Sequence, residues 1–453
     1  MRLSFRSWLI LALFYYGGRT MKKKYLLMTG MALTIAVSGP VQTVVHAANL
    51  PSEKLAKNVK QSQEFNAKEY ADEIMEFMQK QDATDLKSLF KAIVDKENSD
   101  ITTYGAKNTE QIKMLWGAYI FFDFGFVGQS KIFELFQNNT KCYPQLKALP
   151  GLSDDNQSNG FLPGTGEAIA LPVKNNADGS TFTSYAYYTP HKESITENAD
   201  KTVVMHGGFR GNIDSGNDIP ETRTFYDKGY KILYIDNRAT SKSGGDYVTL
   251  GQYESDDVIA WIKDYLNVQH ANQKVVLYGG SMGAATMMSM LAKAHPENIH
   301  GLIENCGYAS TRGELEYVYG MVTGLLKGFI KSATGVDFAE SFLVTKDNSD
   351  KMFEILDQYY TRPKANMDIN NSLPAEGVQK SKLTKLFIHG TLDRVVPFSN
   401  LETLEAINGG PYYEPFIADK AGHGEAQAKY PAEYDAAVQG YLENIFAVSY
   451  THL

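Results

Sequence analysis

A single serine between glycines is the feature of this sequence that most directly suggests chemistry. Residues 278–287 read YGGSMGAATM, after an apolar run and before a helix-forming run. A G-x-S-x-G segment in that position forms a strained turn, in which glycines avoid clashes that side chains would create. The turn would present the hydroxyl of Ser281 above a sheet, near a helix N-terminus that favours negative charge. The stretch predicts a nucleophile, and a tight turn without chemistry is the alternative.

A serine hydroxyl is a poor nucleophile until a base removes its proton. In a fold with such a turn, the acid and then the histidine follow the serine along the chain. Of the nine histidines, His423 and His452 follow the last strand-like acid candidates, and His452 lies in an atypical tail. We predict that His423 is the general base, because glycines flank it directly after a strand-like run.

The acid that orients the histidine should follow the preceding strand. Asp393 does so, in the loop after LTKLFIHG. Its carboxylate would hold the imidazole tautomer and stabilise the imidazolium. Asp419, four residues before His423, is the alternative, but it lies at the end of its own strand and fits this role less well.

The tetrahedral intermediate of acyl transfer needs backbone donors for its oxyanion. The amide of Met282, directly after the serine, is the first predicted donor. The second should come from KTVVMHGGFRGN at 201–212, where adjacent glycines let the backbone approach closely. Gly208 and Phe209 both remain open as this second donor.

Short apolar runs and helical stretches alternate from about residue 160 onward. A hairpin pattern, EAIALPVKNNADGSTFTSYAYYT, comes first. The runs that follow are KTVVMHGG, YKILYIDNR, KVVLYGGS, IHGLIENC, LTKLFIHG and EPFIADKAG. This alternation predicts an α/β fold, with a mostly parallel sheet and helices on both faces. Ligands bind at the carboxyl ends of the strands in such sheets, which is where the candidate residues lie.

These stretches together resemble the α/β-hydrolase superfamily, and more closely the bacterial secreted serine hydrolases of the esterase and prolyl-oligopeptidase-like group. DNRATSKSGG at 236–245 matches that group's D-x-R-x-x-G-x-S-x-G stretch, with Ser241 where a glycine is usual. HGGFRGN is one residue longer than the usual H-G-F-T-G-N. The resemblance covers roughly 160–445. It implies an α/β-hydrolase fold with Ser281, Asp393 and His423 as a catalytic triad.

The resemblance implies a serine hydrolase that cleaves a carboxylic ester through an acyl-enzyme, without a cofactor or a metal. The expected substrate is a small-molecule ester or a short peptide. A peptidase or amidase of the prolyl-oligopeptidase-like type is the main alternative, although the sequence has no β-propeller blade repeat. An acyltransferase, and a non-catalytic binding relative of the fold, are further alternatives.

The chain divides into five predicted segments. They are an upstream extension with a secretory signal peptide (1–48), an N-terminal helical region (49–155), the first part of the α/β-hydrolase core (156–306), a helical lid insertion (307–380) and the second part of the core (381–447). The signal peptide begins at Met21, with three lysines before an apolar stretch and cleavage near Ala47 or Ala48. We therefore expect a secreted protein with no stable membrane span in its mature form.

Composition narrows the possible partners. The net charge of −8 argues against a nucleic-acid partner.

Cys142 and Cys306 are too few for a disulfide scaffold and are expected to be free and buried, with a bridge as the alternative. Arg210 and Arg238 near strand ends are expected in structural ion pairs, with a substrate carboxylate as the alternative partner. The oligomeric state is left open.

Overall fold

The computed structural model of the protein describes residues 64–140, 158–211 and 213–447. The extension and signal peptide predicted at 1–48 lie outside the described residues, as do Cys142 and the tail with His452. Of the region predicted to be helical at 49–155, the structure describes residues 64–140.

An eight-stranded sheet follows the N-terminal helices. Its strands are β1 (Ile169–Lys174), β2 (Thr181–Thr189), β3 (Lys201–His206), β4 (Lys231–Ile235), β5 (Lys274–Gly280), β6 (Ile299–Asn305), β7 (Thr384–Gly390) and β8 (Phe416–Ala418). They lie in the order β1-β2-β4-β3-β5-β6-β7-β8. The β1–β2 and β2–β4 pairs are antiparallel, and the other pairs are parallel. The predicted hairpin and the six predicted strands are therefore confirmed.

Alternate residues of the central strands enter two different hydrophobic cores. In β3, Val204 joins one core while Val203 and Met205 join the other, and in β5 Leu277 and Val276 divide in the same way. All five side chains are almost completely buried. Because successive side chains of a strand point to opposite faces, both faces of the sheet are covered.

Helices supply these covering layers. Before the sheet come α1 (Ala67–Gln79), α2 (Leu86–Tyr104), α3 (Thr109–Phe126) and α4 (Lys131–Asn139). After β3 come α5 (Pro220–Tyr226), α6 (Glu254–Ala260), α7 (Asn267–Gln269), α8 (Met282–Leu291), α9 (Thr311–Thr334), α10 (Phe338–Phe342), α11 (Ser349–Leu356), α12 (Arg362–Ala365), α13 (Leu373–Lys380), α14 (Ser399–Ala406), α15 (Ala426–Lys429) and α16 (Pro431–Ala447). Short π-helical turns join α6 to α7 and α11 to α12.

The N-terminal helices pack against the helices of the 307–380 segment. Helix α3 contacts α10 and α11, and α2 contacts α9. The hydroxyl of Tyr360 donates to the carbonyl oxygen of Leu115 at 3.0 Å, and the rings of Phe121 and Tyr319 lie 5.4 Å apart. The two helical segments therefore form one layer, although the sheet separates them in the sequence.

The parallel strands bring their carboxyl ends to one edge of the sheet. His206 pairs with Gly279, Gly280 pairs with Asn305, and Asn305 pairs with Ile388. The loops after β3, β5, β7 and β8, which contain or border all the predicted site residues, consequently meet at this edge.

Helix α13, the last part of the 307–380 segment, packs directly against α8. A Cβ atom on Gly377 would lie 1.8 Å from the carbonyl oxygen of Met288. The two helix backbones can touch here because glycine has no side chain. Since α8 follows Ser281, this contact fixes the helix behind the candidate nucleophile.

We expect Gly377→Ala to lower the free energy of unfolding by about 1–3 kcal/mol, because the new methyl group overlaps the α8 backbone. Gly320→Ala in α9 is the matched control, since a Cβ there has nothing within 4 Å. That change should raise stability by about 1 kcal/mol through helix propensity. Urea unfolding measures both variants. A Gly377→Ala variant as stable as Gly320→Ala would contradict the close contact.

Candidate active site

Ser281 lies in a strained turn between β5 and α8. Its backbone has φ 54° and ψ −121°, a conformation that side-chain-bearing residues rarely adopt. The amide of Ser281 donates to the carbonyl oxygen of Asn305, in the neighbouring strand β6, at 2.8 Å. The turn is therefore held in place by the sheet itself.

The glycines around the serine are required by close backbone contacts. A Cβ atom on Gly279 would lie 2.3 Å from the carbonyl oxygen of Gly283. A Cβ atom on Gly283 would lie 2.0 Å from the carbonyl oxygen of His206, at the end of β3. No side chain fits at either position without moving the backbone, which explains the spacing of the G-x-S-x-G segment.

Ser281, His423 and Asp393 form a continuous hydrogen-bonded chain. His423 Nε2 lies 2.9 Å from Ser281 Oγ, and His423 Nδ1 lies 2.7 Å from Asp393 Oδ2. An ionised carboxylate can only accept, so Nδ1 carries a proton, and in the neutral ring Nε2 accepts from the serine hydroxyl. Asp419, the alternative acid, is 70% exposed and accepts a hydrogen bond from Thr391 instead. The structure thus brings Asp393, and not Asp419, to the histidine.

Asp393 is buried and yet surrounded by donors. Its Oδ1 accepts from the amides of Val395 and Val396 at 2.8 and 2.9 Å. His389 Nε2 lies 3.3 Å from its Oδ2, beside the bond from His423. Burial raises the pKa of Asp393, but the hydrogen bonds from the two histidines outweigh it, and the pKa falls to about 2. The acid is therefore negatively charged at neutral pH.

The charge on Asp393 acts on His423. Burial lowers the pKa of His423, but its interactions with Cys306 and with the carboxylate of Asp393 outweigh burial and raise the pKa well above its usual value. A raised pKa means that the imidazolium is stabilised once the ring has taken a proton. Cys306 is free and buried, as expected from the sequence.

Among the described residues, one group of side chains could in principle hold a metal ion: Cys306, Asp393 and His423. Ligand atoms of Cys306, Asp393 and His423 all lie within 4.8 Å of one another. Both ring nitrogens of His423 are already hydrogen-bonded, to Asp393 and to Ser281. The arrangement consequently favours proton transfer over metal ligation.

The loop after β3 lies directly against the serine. A Cβ atom on Gly208 would lie 3.4 Å from Ser281 Cβ. The carbonyl oxygen of Gly208 accepts from Asn237 Nδ2 at 3.0 Å and from the amide of Gly211 at 2.9 Å. In a trans peptide the N–H points opposite to the C=O, so the amide of Phe209 faces away from Asn237. Asn237, to which the sequence pattern assigns no role, thereby orients this peptide.

Met282 is the first residue of α8, so its amide has no partner within the helix. The dipole of α8 adds partial positive charge at the same place.

The two arginines near strand ends differ in their partners. Arg238 is buried and forms the expected ion pair, with Asp257 at 2.7 Å. Arg210 differs from the expectation, because its hydrogen bonds within the described residues go to backbone carbonyls.

Sequence reasoning missed one carboxyl group near the triad. Glu314, on α9, is buried, and its Oε2 has no hydrogen-bond partner among the described residues. Burial raises its pKa to about 8; the negative charge of Asp393 adds to this, and His423 opposes it. No local pattern in the 307–380 segment distinguishes this glutamate from its exposed neighbours.

A family model described as "alpha/beta hydrolase fold" matches residues 201–323, from the start of β3 into α9. The chain has the α/β-hydrolase fold. The eight-stranded sheet and this match confirm the predicted fold, and they support the prediction of a hydrolase.

Relatives share only part of the chain. The uncharacterized protein YqkD of Bacillus subtilis (strain 168) is 24% identical over 263 residues, which is 58% of this chain and 77% of YqkD. An esterase from Pyrococcus furiosus has a TM-score of 0.45 and 19% identity, covering 61% of this chain and 91% of the esterase. The acylaminoacyl peptidase of Pyrococcus horikoshii has a TM-score of 0.40 and 15% identity, covering 61% of this chain and 41% of the peptidase. The fold is established by the sheet order and the family match.

We expect Glu314→Gln to change how stability depends on pH. The folded state holds the pKa of Glu314 at about 8, against an ordinary 4.5, so the unfolded chain loses this proton first as pH rises. The wild type should therefore lose up to about 3 kcal/mol of stability between pH 5 and pH 8 through this group. Glutamine cannot ionise and removes that loss.

Urea unfolding at pH 5 and pH 8 measures the difference between the two proteins. Glu316→Gln is the matched control on the same helix, because that side chain is 48% exposed. The stability gain of Glu314→Gln should grow with pH while that of the control stays constant. A difference in unfolding free energy between wild type and Glu314→Gln that does not change with pH would contradict the raised pKa of Glu314.

Proposed function

We propose that the chain is a secreted serine hydrolase that cleaves a carboxylic ester through an acyl-enzyme on Ser281. The observation that carries this proposal is the unbroken hydrogen-bonded chain from Ser281 through His423 to Asp393. It lies where parallel strands end, with the nucleophile on a strained turn. The family match is to a hydrolase fold, which is consistent with the proposal.

In the proposed reaction, His423 Nε2 takes the proton of Ser281 as Oγ attacks the ester carbonyl carbon. The tetrahedral intermediate collapses, and His423 gives that proton to the departing alcohol. A water molecule then attacks the acyl-enzyme while His423 takes one of its protons. Collapse of the second intermediate releases the carboxylic acid and returns the proton to Oγ. Asp393 stays ionised and stabilises the imidazolium in both halves.

The negative charge on the intermediate needs fixed donors. We assign the amides of Met282 and Phe209 to this role. The helix start at Met282 supports the first, and the bond from Asn237 to the Gly208 carbonyl, which turns the Phe209 amide the other way, supports the second. Gly208 then leaves open the space beside Ser281 that a Cβ atom, 3.4 Å from Ser281 Cβ, would occupy.

A second candidate function is a peptidase or amidase that acts on short peptides. It is favoured by the buried carboxyl of Glu314 near the triad, because a substrate ammonium group bound there would lower the pKa of Glu314 and pair with the resulting carboxylate. An ester substrate needs no such group. Comparing p-nitrophenyl esters with aminoacyl p-nitroanilides separates the two, since a higher kcat/KM on the anilides would replace the esterase assignment.

Secretion is supported by the lysines and the apolar stretch that follow Met21. In the described part of the chain, no helix combines the length and the apolar character that crossing a bilayer requires. Amino-terminal sequencing of protein from the culture medium should find a start near Ala48. Protein that stays with the cells and keeps residues 21–47 would contradict secretion.

We expect Ser281→Ala to abolish labelling by a fluorophosphonate probe and to lower kcat on the order of 10⁴-fold or more. The matched control is Ser241→Ala, since Ser241 is also at φ 54° but bonds to Asp214. That variant should keep its labelling. Equal labelling of wild type and Ser281→Ala, or labelling of neither, would rule out the proposed nucleophile.

A further inference from the structure

Arg210 directly follows the proposed oxyanion donor, and its side chain leaves the loop for the N-terminal helices. Its Nη1 donates to the carbonyl oxygen of Gly128 at 3.0 Å. Its Nη2 donates to the carbonyl oxygens of Phe124, at 3.2 Å, and Val127. One guanidinium thus joins the loop after β3 to the α3–α4 junction, more than 80 residues earlier in the chain.

The chemistry of this contact makes it a firm anchor. The acceptors lie at the C-terminal end of α3, where carbonyls lack intrahelical partners and the helix dipole is negative. The guanidinium carbon also lies 4.3 Å from the centre of the Phe133 ring, on α4. Burial lowers the pKa of Arg210 to about 10, while the charge of nearby Asp123 opposes that shift, so the side chain stays cationic at neutral pH.

The α3–α4 junction is itself fixed to the hydrolase core. The amide of Gly128 donates to the carbonyl oxygen of Asp246 at 2.8 Å, and the amide of Val248 donates to that of Phe126 at 2.8 Å. A Cβ atom on Gly128 would lie 2.7 Å from the carbonyl oxygen of Ala239. Arg210 therefore binds to a support that cannot easily shift.

The loop needs such a support because its backbone is strained. Arg210 has φ 52°, a left-handed conformation that costs free energy for a residue with a side chain. Asn237 holds the loop from the core side, through the carbonyl of Gly208. Arg210 holds it from the helical side, so the amide of Phe209 lies between two anchors.

We infer that Arg210 is a positioning residue, through which the N-terminal helices hold the Phe209 amide where the oxyanion forms. This inference rests on the proposed function. It gives the N-terminal helices a role in catalysis besides covering the core. Oxyanion donors act on the transition state more than on the bound substrate, so a misplaced amide lowers kcat and leaves KM nearly constant.

The test uses Arg210→Met, Arg210→Lys and Phe133→Leu in the full-length protein. Arg210→Met should lower kcat about 10- to 100-fold with KM within about twofold, and weaken binding of a boronic acid transition-state analogue by the same factor. Arg210→Lys should keep part of the kcat that Arg210→Met loses. Lysine retains the positive charge but lacks the planar guanidinium, which donates to several carbonyls at once. Phe133→Leu should lower kcat less, and adding it to Arg210→Met should cause little further loss.

Arg223→Met is the matched control, because Arg223 forms a two-bond ion pair with Asp218, which lies nine residues after Phe209 at the far end of the same loop and bonds to Gly160 and not to the N-terminal helices. It should lower thermal stability without changing kcat. The inference is overturned if Arg210→Met keeps wild-type kcat, if it only lowers stability as the control does, or if its effect and that of Phe133→Leu simply add. Ser281→Ala is assayed in parallel, so that failure of the inference on Arg210 can be told apart from failure of the proposed function. Full activity in Ser281→Ala would overturn the proposed function itself.

Discussion

The strained backbone at Ser281 is the constraint on which the candidate site depends. A residue at φ 54° persists there because its amide is bonded to Asn305 in β6 and because α8 begins against the end of β3. These contacts exist only when β3, β5 and β6 lie side by side in their observed register. Sheet topology, the glycine spacing and the exposure of one hydroxyl are therefore consequences of the same packing.

The charge of Asp393 and its effect on His423 form the second part of the candidate site. Two amides of the loop after β7, together with His389 on β7 itself, surround Asp393 and keep this buried carboxylate ionised. That charge favours the protonated form of His423, the species formed when the serine attacks. The proposed oxyanion donors belong to the start of α8 and to the loop after β3, a strand that lies on the other side of β5 from β7. Negative charge can thus form on the substrate oxygen while positive charge forms on the ring.

The parts predictable from sequence are those with local signals. Ser281 and His423 lie between glycines after apolar runs, and short runs rich in β-branched residues indicate the strands. Spacing alone left Asp393 and Asp419 both open, because their distance from His423 depends on how two loops turn. The contacts of Arg210 had no signal, since its partners are backbone carbonyls 82 to 86 residues away. Glu314 was missed because the burial of a carboxyl in the 307–380 segment is decided by tertiary packing.

Mass spectrometry of the enzyme, quenched during turnover of a slowly deacylated p-nitrophenyl ester, tests the proposed acyl-enzyme most directly. We predict a burst of p-nitrophenol equal to the enzyme concentration. We also predict a mass increase of one acyl group on the peptide that contains Ser281. An acyl group on another residue, or turnover with no acylated enzyme at any time, would contradict Ser281 as the nucleophile.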